Sequence, residues 1–147
     1  MGILHLIIFT ICLGFLMPIQ SGINGQLGLV IKQPMLATTI SMGGGFIASV
    51  LIYILMGNQL PPPDVFRKIP WYLYTGGLCG VIFVTSILIL VPKYGIAKLG
   101  AGVIVGQLLF ALLLDHFGWM GMPTYSLSYT RLFGVLFLFA GLFLIHR

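Results

Sequence analysis

The chain has 147 residues, of which 59% are hydrophobic and 6% charged, with seven Lys/Arg against two Asp/Glu and a net charge of +5. A soluble domain carries about 25% charged residues, so these side chains cannot cover a water-facing surface, and the continuous apolar runs lack the ~10-residue alternation of a membrane β-barrel. The cations stand between apolar runs rather than in one patch, which fits anchoring at lipid headgroups and argues against a nucleic-acid partner.

At about 20 residues per span this length accommodates five helices. The expected fold class is therefore all-α integral membrane, one membrane domain over 1–147 with spans at about 3–30, 35–56, 71–91, 96–114 and 127–146. The first twenty residues lack the basic n-region and small-residue cleavage site of a signal peptide and belong to span 1. Pro18, near the middle of that span, removes a backbone donor and crowds the carbonyl four residues earlier, which predicts a kink or unwinding there.

Span 1 also holds the most unusual stretch of the chain, from Met17 to Gly28. Gln20 and Asn24 lie one helical turn apart and share a face, with Ser21 beside them, and Gly22, Gly25 and Gly28 let a helix or a ligand approach the backbone. Polar groups at membrane depth persist only where protein or a water-filled cavity satisfies them. Two readings follow: the wall of a polar pathway, or hydrogen-bonding glue between helices. The glue reading does not by itself require a proline beside the carboxamides, so the wall is favoured.

Lys32-Gln33-Pro34 makes the first turn, and span 2 follows with Thr38, Met42, Gly45 and Ser49 on one face, a packing seam rather than a binding site. Gly43-Gly44-Gly45 marks close packing or a flexible point. From Gly57 to Pro70 runs the longest polar connection, where Pro61-Pro62-Pro63 predicts an extended, stiff link that divides the spans into two and three. Trp71-Tyr72-Leu73-Tyr74 opens span 3 as an interfacial aromatic belt, with Gly76 and Gly80 as a small-residue pair, and Val91 to Gly95 reads as a tight turn. Span 4 carries Gly102 and Gly106, spaced for a close helix crossing, followed by Gln107. Asp115-His116-Phe117-Gly118-Trp119 closes it, and span 5 holds Arg131 a turn inside. Asp115 and Arg131 then lie on the same side of the membrane and could pair, either as a structural ion pair or in a coupling or substrate role. Cys12 and Cys79 fall within spans as buried packing residues, with neither disulfide pattern nor metal spacing. His5 and His146 lie near the chain ends, at the interface.

Five spans put the termini on opposite sides. Arg67, Lys68 and Arg131 then lie on the side of the amino terminus, and Lys32, Lys93, Lys98 and Arg147 opposite. Orientation follows the Lys/Arg bias of short loops, and a difference of one sets almost nothing, so the chain is expected to insert both ways up. Transporters commonly enclose a midplane site between two repeats of opposite topology. The halves of this chain show no self-similarity, and two oppositely inserted copies would supply the missing symmetry: ten helices, with span 1 and span 4 of each around a cavity.

Taken together, Pro18-x-Gln20-x-Gly22-x-Asn24, Pro34, Pro70-Trp71 leading to Gly76-Gly77-x-x-Gly80, Val91-Pro92-Lys93-x-Gly95, Gly106-Gln107-Leu108, Asp115-His116-Phe117-Gly118 and Arg131-x-x-Gly134 resemble the YdcZ-like branch of the drug/metabolite transporter superfamily. The likeness covers essentially the whole chain in order. It implies a bacterial inner-membrane protein of five spans, with relatives that occur as dual-topology homodimers, oppositely oriented pairs or fused ten-span chains, described as exporters or metabolite transporters. Gln20, Asn24, Gln107, Asp115 and Arg131 fall on the family's recurring polar positions. The glutamate in span 1 on which related small multidrug exporters depend is missing, since the chain contains no Glu.

The reading that results is a transporter moving a small polar solute by alternating access as an antiparallel homodimer, or beside an oppositely oriented paralogous subunit, in the lipid bilayer. Gln20, Ser21, Asn24 and Gln107 would bind the solute. Carboxamides both donate and accept, which suits a neutral or zwitterionic molecule better than a hydrophobic cation. No cofactor or metal is expected, and Asp115-His116 lacks the third partner an enzyme would need. The rivals are a passive channel, with flux that does not saturate, and a non-transporting membrane subunit, in which neighbouring protein groups would satisfy Gln20 and Asn24.

Overall fold

A computed structural model describes residues 2–121 and 123–147. It is built of α-helices, short 3₁₀ turns and connecting loops, and five helices are long and apolar enough to cross a membrane: Ile3–Ile31, Pro34–Leu55, Trp71–Tyr94, Ile96–Phe117 and Tyr129–His146. These are the five expected spans. The helices fall into two compact units, Met1–Lys93 and Tyr94–Arg147, so the division follows the third span and not the proline-rich link.

In the first unit, span 1 is two helices, α1 (Ile3–Gly14) and α2 (Leu16–Ile31). The interruption is at Phe15, whose N–H donates to the Cys12 carbonyl three residues back at 3.2 Å, the tighter 3₁₀ pattern. Pro18 is the cause, one turn away from its effect. It has no N–H for the Gly14 carbonyl and its ring presses on that group, so the ladder breaks ahead of the proline. The break makes Pro18 a first-turn residue of α2, where no helical partner is needed for its nitrogen. The expected kink is therefore displaced from Pro18 to Phe15, and the polar stretch lies on continuous helix. Lys32 closes α2 in a left-handed conformation, φ 58°, its N–H donating to the Gly28 carbonyl at 3.0 Å.

The next helix, α3 (Pro34–Leu55), starts on a first-turn proline and packs against α2, burying Ala37 and Thr38. Of the expected seam on this helix, the first half packs. The Thr38 hydroxyl, 1% exposed, donates to the Pro34 carbonyl at 3.1 Å and lies 3.0 Å from the Thr85 hydroxyl, and a Cβ on Gly80 would meet Met42 Cε at 3.2 Å. Gly45 faces open space and the Ser49 hydroxyl turns back to the Phe46 carbonyl at 2.8 Å. Gly43 and Gly44 are open too, so close packing does not explain that triplet.

The link from Gly57 to Pro70 is only partly extended. Pro61 and Pro62 are, but Pro63 takes the first-turn position of a short helix, α4 (Pro63–Lys68), with Asp64 in its first turn and Arg67 and Lys68 in its last, the polarity a helix dipole favours. The Tyr74 hydroxyl donates to the Phe66 carbonyl at 3.2 Å and ties α4 to the 3₁₀ turn Trp71–Thr75. From there α5 (Gly76–Tyr94) continues past Pro92, burying Val84, Ile87 and Leu88. The turn expected over Val91 to Gly95 is reduced to Gly95, whose φ of +84° only glycine adopts without strain.

In the second unit, α6 (Ile96–Phe117) packs along α7 (Tyr129–His146), with Val105 and Val135 buried. Span 4 thus ends at Phe117, not Leu114, where Gly118 caps it in the left-handed region at φ 61°. Span 5 starts at Tyr129, behind Ser128, whose hydroxyl accepts the Arg131 N–H at 3.3 Å. Gly102 and Gly106 face open space, so the close crossing expected there is not made within this unit. Cys12 and Cys79 are exposed, a correction to their expected burial. The physical reason applies to every span: no more than 11% of any span's apolar window is buried inside the chain, which leaves most apolar side chains for lipid or another subunit.

Candidate functional site

The polar residues of span 1 sit on the middle turns of α2. Gln20 is exposed, Ser21 is half-buried with its hydroxyl donating to the Met17 carbonyl at 2.8 Å, and Asn24 is buried, 6% exposed. That hydroxyl keeps only its lone pairs for a ligand. Among the described residues, neither Gln20 nor Asn24 makes a side-chain hydrogen bond. The amide atoms of Asn24 are not fully covered, because the covered, unpartnered side-chain polar atom among the described residues is Arg131 Nη1; the Asn24 carboxamide therefore stays within reach of a solute.

Two glycines bring α5 against this side of α2. A Cβ on Gly25 would lie 3.2 Å from Val91 Cγ1 and 3.8 Å from Pro92 Cδ, and one on Gly28 would overlap the Leu88 side chain. Gly25 meets Val91 and Gly28 meets Leu88, so the two glycines form one continuous contact with α5. Asn24, Gly25 and Gly28 are the buried residues of α2, and Asn24 borders the line where α5 side chains rest on glycine backbone. The glycine spacing in the sequence anticipates a close approach at this point. The partner helix does not follow from it, and Pro92 reads in the sequence as part of a turn.

The second group of polar residues belongs to the other unit. Gln107 is exposed on α6. Asp115, on the last turn of α6, and Arg131, on the first turn of α7, come within 3.7 Å (Oδ2 to Nη1), with side chains 40% and 37% exposed. At that separation the charges attract without a hydrogen bond, and Arg131 Nη1 is covered yet has no hydrogen-bond partner. Tyr125 completes the arrangement: its N–H donates to the Asp115 carbonyl at 2.8 Å and its ring lies 5.7 Å from the guanidinium carbon of Arg131. The loop between α6 and α7 is thereby fastened to both helix ends. His116 stands edge-on to Phe117, which stacks on Trp119, an aromatic group at the same end of α6. The sequence places Asp115 and Arg131 on one side of the membrane; Tyr125 as the residue between them came only with the fold.

A family model described as "Putative inner membrane exporter, YdcZ" matches residues 5–144. None of the curated proteins and none of the solved structures matches the chain.

Proposed function

Since the chain belongs to the YdcZ family of multi-pass inner-membrane proteins, we propose that it transports a small polar solute by alternating access, as an antiparallel dimer of two such chains. The observation that carries this reading is Asn24: a carboxamide 6% exposed and, among the described residues, without a hydrogen-bond partner. A polar group used only to join helices would be hydrogen-bonded to them; one that serves a passing solute is left free between solutes. Gln20 and Ser21, on the same turns of α2, extend the hydrogen-bonding surface, and Gln107, exposed on α6, is a further candidate for binding the solute.

Two features support the dimer. The Lys/Arg difference of one between the two sides leaves insertion undirected. The small buried share of every span leaves apolar faces for a second subunit, and a pair of inverted copies recreates the two-repeat plan of alternating access. Asp115 and Arg131 act in this reading as a structural pair that fixes the α6–α7 end.

The test is transport in proteoliposomes. A screen of small metabolites for thermal stabilisation of the purified chain identifies a solute; Asn24→Ala is then expected to abolish its flux while cross-linking still captures the dimer. Unchanged flux removes Asn24 from the pathway. Flux that does not saturate and shows no counter-exchange makes the protein a channel instead.

A further inference from the structure

The end of the second unit where α6 meets α7 holds charged atoms that the fold leaves unused. From Ile96 to Asp115 α6 rises about 29 Å, against about 30 Å of hydrocarbon in a bilayer, so with Ile96 at one boundary Asp115 stands at the other. Trp119 and Tyr125, both exposed at this end, are residue types that settle at headgroup level. The Asp115–Arg131 pair therefore lies where phospholipid headgroups meet acyl chains, and both side chains are more than a third exposed.

Among the described residues neither of these side chains makes a hydrogen bond. An arginine has five N–H donors and a carboxylate about four lone-pair sites, and the 3.7 Å contact between Nη1 and Oδ2 is too long to use any of them. Nη1 is covered and unpartnered, whereas Nε, Nη2 and the two Asp115 oxygens are not among the covered atoms. The guanidinium thus turns one nitrogen toward the carboxylate and keeps its other edge open, with the Tyr125 ring beside it, 5.7 Å from centroid to guanidinium carbon.

We propose that this pair binds the headgroup of a zwitterionic phospholipid that carries a primary ammonium, with the phosphate on the Nε–Nη2 edge of Arg131 and the ammonium on Asp115. The guanidinium fork fits two phosphate oxygens. The ammonium of a phosphoethanolamine headgroup, joined to its phosphate by a short ethylene link, brings N–H donors to the carboxylate oxygens. A choline headgroup has the same charges but no N–H to donate. A glycerol headgroup has no cation at all and sets an anionic lipid beside the Asp115 carboxylate. Arg131 alone would take any phosphate; Asp115 next to it makes the choice. The site takes lipid and not cargo, so it stands whether or not the chain moves a solute, and the pair still joins α6 to α7.

The experiment follows the thermal unfolding midpoint of the purified full-length chain in detergent micelles doped with phosphatidylethanolamine, phosphatidylcholine or phosphatidylglycerol of matched acyl chains. Phosphatidylethanolamine is expected to raise the midpoint in a saturable way, at about a tenfold lower concentration than the other two, the difference of one hydrogen bond between charged groups. Asp115→Ala removes the carboxylate and is expected to bring phosphatidylethanolamine and phosphatidylcholine to the same concentration; Asp115→Glu keeps it and is expected to retain the preference. Arg131→Gln is expected to abolish stabilisation by all three lipids. Arg67→Gln is the control, because Arg67 forms the other ion pair, with Asp64 at 3.9 Å and both side chains more than 80% exposed; its preference is expected to match the parent. Equal stabilisation by phosphatidylethanolamine and phosphatidylcholine, an unchanged preference in Asp115→Ala, or a preference lost in Arg67→Gln overturns the site. Free O-phosphoethanolamine is expected to leave the midpoint unmoved at the same concentrations; stabilisation equal to that of the lipid would make this a site for a soluble phosphate ester and overturn the lipid assignment.

Discussion

Pro18 and Pro92 impose the same defect, a missing donor inside an apolar span, and the two helices accommodate it differently. At Pro18 the span breaks at Phe15 and restarts, so the proline becomes a first-turn residue and the defect is absorbed as a 3₁₀ step. At Pro92 the helix continues to Tyr94. Surroundings make the difference. The described residues of α1 are exposed along its length, so it can bend at little cost in contacts. Leu88 and Val91 rest on the backbone of Gly28 and Gly25, and a break there would pull α5 off α2. Packing holds the second helix on α2 up to its proline, whereas the first has no such packing to lose. A proline's missing donor becomes a break where the helix is free and is held within a continuous helix where it is clamped.

The largest effect in stability is expected at the clamp. Gly28→Leu forces a side chain into the space of Leu88 and is expected to cost about 1–3 kcal/mol by overpacking, read as a lower unfolding midpoint and faster hydrogen exchange around Pro92. Gly43→Leu, at a glycine facing open space, is the matched control and is expected to stay within about 0.5 kcal/mol. If the control loses as much, bulk rather than the α2–α5 contact is at issue.

Pro18→Ala sharpens the comparison from the other side. It restores the donor to Gly14, and the interruption at Phe15 is expected to close into one continuous helix. The gain is about 1–2 kcal/mol, less than the roughly 3 kcal/mol a mid-helix proline costs, because the existing break already relieves most of the conflict. Spin labels at positions 6 and 24 would report the straightening as a longer separation; an unchanged distance would mean that something other than Pro18 breaks the helix. Pro92→Ala, where the helix is already continuous, is expected to leave its shape unchanged.

The smallest effect belongs to the ion pair, which lies outside both helices. Asp115→Asn is expected to cost about 0–1 kcal/mol, since both side chains are more than a third exposed and the pair makes no hydrogen bond. The exchange Asp115→Arg with Arg131→Asp is expected to recover flux if the pair only holds α6 and α7 together. Folded protein with lost flux after the exchange would assign the charges a direct role with solute or protons.

Much of this protein is legible in its sequence because hydropathy is a local sum. Five long apolar runs dictate five helices whatever they pack against, and the observed bounds depart from the expected ones by at most three residues, as at Tyr94 and Phe117. The departures share a cause: Pro92 and Asp115-His116 look like helix ends by residue type, yet glycine carries the turn in both places, at Gly95 and Gly118. The polar positions at Gln20, Ser21 and Asn24 were likewise visible, because hydrogen-bonding side chains are conspicuous among Leu and Ile.

Which polar group ends up buried, and against what, is a different matter. The composition and order of residues alone determined that the chain forms five helices long and apolar enough to cross a bilayer and carries carboxamides in the first of them. Only tertiary structure decided that Asn24 rather than Gln20 is enclosed, that Leu88 and Val91 lie on the glycines beside it, and that Pro92 packs toward Gly25. Insertion depends on the sum of side-chain transfer energies along one segment, whereas satisfaction of a buried polar atom depends on which atoms arrive from residues more than sixty positions away.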